Sequence, residues 1–519
     1  MSPFPGLDRV LAVIGRTRHK MVAIELEEAV KRGNSFLEVR LDFLAKAVDF
    51  KRMLPHKKCP WVATLRRPQD GGRWPGKEDD RQAVLRQAIV SGFDWVDLET
   101  DIADKIRRFG AVKRIISYHN MTETPANLDE IYEKMLAQDG DVYKIAVMAN
   151  TAADIERILK IQKSAPKPTV AFGMGEIGIP TRYTSLKFGA PWIYAAFNKE
   201  RGIAPGLPSV DDFKTTYPVR SISAETEIFG VIGDPVGHSY SPVLHNHMYL
   251  RTKTNAIYLP FRVPTGTLPE MVKVFDTVPV SGYSVTIPHK QAAAELAGES
   301  EAFVKLSGAA NTLVRRPNGT FFAANTDYSA AVESLKAHLI AQSTESEEAP
   351  QINQLAILIL GAGGVGRAIA HALHREGANL TIVARTDEKA SKLAEEVHCK
   401  FLDWHGRHNV YYDVVINCTP VGMHPKIDET PFHRSAMHSG KIVFDTVYTP
   451  ETTLLLREAK GSGCQIITGV DMFVRQAARQ FELFTDKIPD VAKMREIMRK
   501  ALSPITKQLE EEATQASEA

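Results

Sequence analysis

Four cysteines in 519 residues, Cys59, Cys399, Cys418 and Cys464, stand far apart and never in CxxC or CxH spacing. That excludes a disulfide scaffold and a zinc ribbon, predicts no metal, and fits a reducing cytosol. Long apolar runs are missing too: none reaches the ~18 residues that a membrane span needs. Nor is there an excess of either charge, since 64 basic side chains meet 62 acidic ones. A nucleic-acid-binding surface, which draws on a clustered basic excess, is therefore not expected. With 44% hydrophobic and 24% charged residues the chain is neither disordered, collagen-like nor coiled coil. The opening MSPFPGLDRVLAVIG reaches a strand-like run almost at once. No targeting peptide is expected there, which predicts a cytoplasmic protein, with a plastid form shorn of its transit peptide as the alternative. At ~150 residues per domain the length predicts about three domains.

Residues 1–220 carry eight β-branched or aromatic runs: LAVIG, FLEVRLD, WVATLR, WVDLET, RIISYHN, VYKIAVMA, TVAFGMG and WIYAAF. Between most of them lie segments with apolar residues at helical spacing, such as EDDRQAVLRQAIVSG and TAADIERILKIQKS. Eight such units predict an α/β fold of the (β/α)8 barrel type, with an open doubly wound sheet as the rival. A polar stretch then leads to IFGVIGD, which opens a second α/β region, residues 224–340. The Ser/Glu-rich segment Ala341–Gln354 reads as a linker. Residues 353–470 repeat a strand–helix alternation, 471–505 read as helical, and 506–519 as a disordered tail.

In LAILILGAGGVGRAIAHAL, the glycines Gly361, Gly363 and Gly366 fall between a buried strand and a helix. Glycine there permits a tight turn, close approach of backbone to a pyrophosphate, and packing of helix on strand. About 20 residues on, an NAD site would place an acid at the second strand tip. This chain has Arg385 and Thr386, with Lys389 a turn later, which suits a 2′-phosphate and predicts NADP.

GDPVGHSYSPVLHN, GYSVTIPHK, SGAANTLV, AANTDYSAA, GAGGVG, NCTPVGM, DTVYTP and GVDMFVRQAARQF follow in order across residues 228–485. Together they resemble shikimate dehydrogenase. The resemblance implies a substrate domain over 224–340, a Rossmann NADP domain over 353–470, and C-terminal helices returning to the substrate domain. It implies Lys290 and Asp327 as the catalytic pair. Ser239, Ser241, Thr286, Asn311, Tyr448 and Gln476 would hold the substrate. Gly361, Ala362, Gly363, Gly364, Val365, Thr419 and Gly469 would hold the cofactor with the strand-tip residues. Ser241 and Thr286 favour shikimate, because quinate-using relatives tend to be smaller at those positions. Ala384 stands where the family often has Asn.

In the first region, polar residues collect toward the C-terminal ends of the strands: Glu38, Arg40, Arg66, Glu99, His119 and, beyond the seventh strand, Arg182. Lys144 lies inside VYKIAVMA, and a lysine aimed into a barrel loses basicity and becomes a natural imine-forming nucleophile. FLEVRLD, ISYHN, YKIAV and FGMGEIGIPTRYTSLKFG resemble type I 3-dehydroquinate dehydratase over residues 8–210. The resemblance implies that Lys144 forms a Schiff base with the substrate and that His119, titrating near neutrality, moves the protons. Glu38, Arg40, Arg66 and Arg182 would hold His119 and the substrate, and Asp70 stands where the family usually has Glu. The loop Ile203-Ala204-Pro205-Gly206-Leu207 departs from the family's Ser-Ala-Pro-Gly-Gln, which predicts a competent but weaker dehydratase.

The whole chain thus resembles fused dehydratase–dehydrogenases. The implied partners are 3-dehydroquinate, 3-dehydroshikimate and shikimate; nothing in the sequence specifies an oligomer. A quinate dehydrogenase with a weak or inactive barrel is the alternative. A sensing regulator built from the same modules would have lost Lys144, His119, Lys290 or Asp327, and all four are present.

Overall fold

The computed structural model describes residues 3–198, 203–204, 206–237, 239–342 and 349–503. Pro205, part of the Ala341–Gln354 linker and the 506–519 tail lie outside the described residues. By contacts the chain divides into two compact units: Met1–Pro242 with Asn255–Val280, and Val243–Thr254 with Ser281–Ala519.

The first unit is built on eight parallel strands: β1 (Val10–Ile14), β2 (Leu37–Arg40), β3 (Trp61–Thr64), β4 (Trp95–Glu99), β5 (Lys113–Asn120), β6 (Val142–Met148), β7 (Thr169–Met174) and β8 (Ile193–Ala196). Their order, β7-β6-β5-β4-β3-β2-β1-β8, puts each strand beside its sequence neighbour and returns β8 to β1. That is a nearly closed barrel and excludes the open doubly wound sheet. Among the described residues only the β7–β8 seam lacks ladder hydrogen bonds, and there the rings of Phe172 and Tyr194 lie 6.1 Å apart.

The helices are α1 (His19–Lys31), α2 (Glu78–Ser91), α3 (Leu128–Leu136), α4 (Ala152–Ser164), α5 (Gly175–Lys187) and α6 (Val210–Thr215). Helix α4 starts where Thr151 and Asp154 cap each other's backbone. Eight regular strand–helix units are not what the structure has. The β2–β3 and β4–β5 crossovers hold only 3-10 turns, the first in a segment broken by Pro55 and Pro60. Phe36, Trp95 and Trp192 stand at or just before the starts of their strands with ring centroids 5.2–6.1 Å apart. They fill the N-terminal end of the barrel, leaving polar chemistry to the other end. Also in this unit, β9 (Glu227–Gly233) pairs in parallel with β10 (Ala256–Arg262).

The second unit holds most of α7 (Ser241–Arg251), which follows β9 in the chain. It also holds β11 (Val280–Val285), α9 (Lys290–Leu296), β12 (Glu299–Ser300), α10 (Ala302–Ser307), β13 (Thr312–Arg315), β14 (Phe321–Ala324) and α11 (Thr326–Gln342). The helix α8 (Leu268–Val274) precedes them and belongs to the first unit. Strands β11, β13 and β14 are antiparallel, and β12 pairs with β14.

Then come β15 (Ala356–Leu360), α12 (Gly364–Arg375), β16 (Asn379–Val383), α13 (Asp387–Glu396), β17 (Lys400–Leu402), β18 (Val414–Asn417), β19 (Ile442–Asp445), α14 (Leu454–Gly461) and β20 (Gln465–Ile467). The sheet order β17-β16-β15-β18-β19-β20, all parallel, is the doubly wound dinucleotide-binding order. Helix α15 (Gly469–Thr485) packs along α11, and α16 (Val491–Leu502) packs on α15.

Candidate active sites

Across the barrel the ladder sets Ser117 opposite Lys144 and His119 opposite Ala146. Paired residues of parallel strands share a face. Lys144 and His119 therefore point the same way on neighbouring strands, one layer apart. The Lys144 Nζ donates to Asp97 Oδ2 at 3.2 Å and lies 4.2 Å from the centre of the Tyr194 ring, so it is inside the barrel. It is 3% exposed. Burial, and then the nearby Arg66 cation, lower its basicity against the opposing pull of Asp97. An amine so placed is uncharged far more often than an ordinary lysine.

Asp97 ties the site together. It accepts from Lys144, from Arg66 at 2.8 Å and from the Ser117 hydroxyl at 2.5 Å. Burial alone would raise its pKa, but Lys144 and Arg66 outweigh that and hold it well below the carboxylate range. Glu38 is buried, and its charge acts on both Arg66 and Lys144. Arg40 forms a two-pronged bond to Asp42 and donates to the Gly71 carbonyl. Glu99 accepts from Arg81 at 2.7 Å.

The expectation that His119 titrates near neutrality needs correction. Burial, then the Arg66 and Lys144 cations, hold the ring well below the usual imidazole range, so it is neutral. Both of its ring nitrogens and the Arg66 Nε are buried without a hydrogen-bond partner among the described residues. Buried polar groups left open in this way can be satisfied by a polar molecule, whether water or substrate.

Asp70 lies beside Gly71, whose carbonyl accepts from Arg40. Asp70 accepts from Arg67 at 2.7 Å, which also grips Asp101, making a rim ion pair. Arg182 is buried in α5, with its guanidinium 4.2 Å from the Phe172 ring centre, and burial pushes its pKa down to about 10. Of the Ile203–Leu207 loop, a Cβ on Gly206 (φ +65°) would lie 3.2 Å from the Gly175 carbonyl oxygen at the head of α5.

In the second unit Lys290 begins α9 and its Nζ donates to Asp327 Oδ2 on α11 at 2.5 Å. Asn311 is buried; its Oδ1 accepts from the Thr326 backbone and the Thr312 hydroxyl, and its amide donates to Thr326. Gln476 lies 3.5 Å from the Thr326 hydroxyl, and Tyr448 stacks near Phe473 at 4.6 Å. Thr286 ends the β11 turn, where its carbonyl accepts from His289. In the first unit, Ser239 Oγ accepts from the Ser241 backbone at the head of α7.

The residues present fit a dinucleotide. Gly361 has φ +111°, and a Cβ on Gly366 would lie 2.0 Å from the Gly361 carbonyl oxygen. Among the described residues a Cβ on Gly363 would meet nothing within 4 Å, and one on Gly364 only Lys290 Cδ, at 3.9 Å. This bare turn at the head of α12 leaves backbone amides open to a pyrophosphate and lies beside Lys290. Ala362 and Val365 complete the turn. Arg385, Thr386 and Lys389 are exposed around the head of α13, where a 2′-phosphate would need them. Thr419 leans on Gly361, and Gly469 lets α15 approach the Val447 carbonyl, from which a Cβ would stand only 2.3 Å.

Family models match along the chain: type I 3-dehydroquinase over residues 10–224, and the shikimate dehydrogenase substrate-binding domain over 231–313. They continue with shikimate/quinate 5-dehydrogenase over 343–445 and the shikimate 5′-dehydrogenase C-terminal domain over 469–499. The chain is 34% identical, over 90% of its length and 80% of the relative's, to the chloroplastic bifunctional 3-dehydroquinate dehydratase/shikimate dehydrogenase of Arabidopsis thaliana. The chain belongs to this bifunctional family. It is also 32% identical to the shikimate biosynthesis protein AroDE of Chlamydia pneumoniae, over 75% of this chain and 78% of that one. The NADP(+) shikimate dehydrogenase of Bacillus cereus (strain AH187) is 36% identical over 53% of this chain and 99% of its own.

Sequence reasoning passed over Asp97, Asp42, Thr326 and Gln480 in this bifunctional chain. Gln480 donates to the Asn311 carbonyl and the Thr312 hydroxyl and accepts from Ser284. For Asp97 a signal existed: a lysine buried in a strand needs an anion, and WVDLE offers Asp97 and Glu99 on one alternating face.

Proposed function

We propose that the barrel dehydrates 3-dehydroquinate to 3-dehydroshikimate and that residues 224–503 reduce this product to shikimate with NADPH. The observation that carries the reading is the buried, weakly basic Lys144 one layer from an unpartnered, neutral His119. Lys144 condenses with the substrate ketone, releasing water, and the resulting iminium acidifies the adjacent C–H. Neutral His119 takes that proton and returns one to the departing hydroxyl, which leaves as water, and a second water then hydrolyses the product iminium, freeing the ketone and the Lys144 amine. Arg40, Arg66 and Arg182 supply cations for the carboxylate, Glu38 adds polar contacts within the barrel, and Asp70 acts from the rim.

In the second reaction NADPH, when bound, supplies the hydride. Lys290 donates to the ketone oxygen as charge develops there, and Asp327 holds the ammonium in place. Ser239, Ser241, Thr286, Asn311, Tyr448 and Gln476 bind the carboxylate and ring hydroxyls. Gly361 to Val365, Arg385, Thr386, Lys389, Thr419 and Gly469 hold the cofactor. Free cysteines at all four positions support a cytoplasmic location, with the plastid as the alternative. No helix among the described residues is long and apolar enough to cross a membrane.

The test supplies purified protein with 3-dehydroquinate and NADPH. NADPH is consumed; Lys144→Ala stops consumption from 3-dehydroquinate but not from 3-dehydroshikimate, and borohydride with substrate labels Lys144. Consumption from 3-dehydroshikimate alone by the unmutated chain would refute the dehydratase.

A further inference from the structure

Behind the dinucleotide turn lies a buried carboxylate that neither reaction above employs. Asp445 closes β19 with no exposed surface. Its Oδ1 accepts from Asn417 Nδ2 at 2.9 Å and from the Val447 backbone at 3.0 Å. Its Oδ2 accepts from the Thr453 hydroxyl, the cap of α14, at 2.6 Å. Asn417, at the end of neighbouring β18, turns its side-chain oxygen Oδ1 to Thr419, accepting from both its backbone and its hydroxyl at 2.9 and 2.7 Å. The Asn417 carbonyl in turn accepts from the backbone and hydroxyl of Thr446.

Asp445 thus stands between two loops. One carries Thr419, whose methyl faces the Gly361 turn; the other runs Thr446–Val447–Tyr448 and meets Gly469. On the reading above the first loop serves the cofactor and the second the substrate. A buried acid is costly, and burial pushes this one up to about 6, so a role confined to capping α14 is poorly served by it. Thr453 alone already caps that helix, accepting from the Leu456 backbone.

We propose that Asp445, acting through Asn417, is a positioning residue for the dehydrogenase, fixing the cofactor loop at Thr419 and the substrate loop at Tyr448 in one spacing. The inference rests on the dehydrogenase reading and adds a residue to it. An amide at 445 can keep its oxygen toward Asn417 and Val447 and turn its NH2 toward the Thr453 hydroxyl, which can accept. Alanine can do neither.

The experiment compares Asp445→Ala and Asp445→Asn in the full chain by steady-state kinetics with NADPH and 3-dehydroshikimate. Asp445→Ala raises both Michaelis constants, each by on the order of tenfold, with a smaller fall in kcat. Asp445→Asn restores both to within about threefold of the unmutated values. Dehydratase activity of the same samples stays unchanged and reports intact protein. Unchanged Michaelis constants, a rise in only one, or a kcat loss alone that tracks lost folded protein would overturn the proposal. An unmutated chain that does not oxidise NADPH would overturn the dehydrogenase reading itself, and that arm is read first.

Discussion

Lys144 and His119 show how one buried cation sets the chemistry of its neighbours. Burial lowers the basicity of both the amine and the imidazole, and the field of Arg66, locked to Asp97 at 2.8 Å, depresses them further. A base that stays neutral keeps its proton-accepting form as the medium becomes acidic. The kcat of the dehydratase, which reports the complex in which the Lys144 imine has already formed, should therefore hold as pH falls, with its acid limb below the 6.5 of an unperturbed histidine. A limb at or above that value in a pH–rate profile would contradict the assignment of His119. At the other site, Arg385 is exposed at the head of α13. Arg385→Ala should weaken NADPH relative to NADH by about 1.5–3 kcal/mol, read as the ratio of their kcat/KM values. An unchanged ratio would move the 2′-phosphate elsewhere.

The strands carry the consequences of these pairs. Asp97 on β4 compensates Lys144 on β6 and Arg66 just past β3, so removing it strands two cations in the barrel interior. Asp97→Ala should cost about 3–5 kcal/mol in denaturant unfolding of the barrel. A loss below ~1 kcal/mol would mean that water already reaches those cations. Asp445 at the tip of β19 gives the opposite sign. Its pKa is raised from 3.8 to about 6, so folding favours its acid form. The carboxylate costs roughly 2–3 kcal/mol above pH 6, and that cost fades as pH falls toward 4. Thermal unfolding followed by NADPH binding should show Asp445→Asn stabilising at pH 7 and losing its advantage by pH 4.5. An advantage that does not vary with pH would rule out titration of this group.

The eight strands were legible as short apolar runs because parallel barrel strands are buried on both faces. The glycine turn was legible because its spacing has one geometric purpose. The lowered basicity of His119 was not, since it depends on burial inside the nearly closed barrel and then on Arg66, brought up from just past β3. The partner of Asp70 was not either, because Arg67, which grips it, also reaches Asp101 from across the β3–β4 connection.

At the scale of the whole chain the two chemistries draw on separate residues. The partners of Lys144 are Asp97 and the Tyr194 ring, with Arg66 beside them; those of Lys290 are Asp327 and the Gly364 turn. Networks that share no residue contribute independently. One part of the dehydrogenase sequence nevertheless belongs to the unit that holds the barrel: the turn that begins at Asp234, a few residues before Ser239. Arg262 on β10 bonds Asp234 at 2.9 Å and, with its other arm, Glu176 in the first turn of barrel helix α5 at 2.8 Å. The barrel thereby supplies one restraint on a turn that the dehydrogenase reading places against its substrate. Both ends are solvent-accessible, so the restraint is modest, and an exposed ion pair is worth at most about 1 kcal/mol. Glu176→Gln should accordingly raise the Michaelis constant for 3-dehydroshikimate by no more than about fivefold while leaving that for NADPH unchanged. Arg262→Ala, which frees Asp234 as well, should raise it further. Equal effects of the two variants would show that Glu176 contributes the whole restraint, and no effect of either would show that the turn is held by its own hydrogen bonds alone.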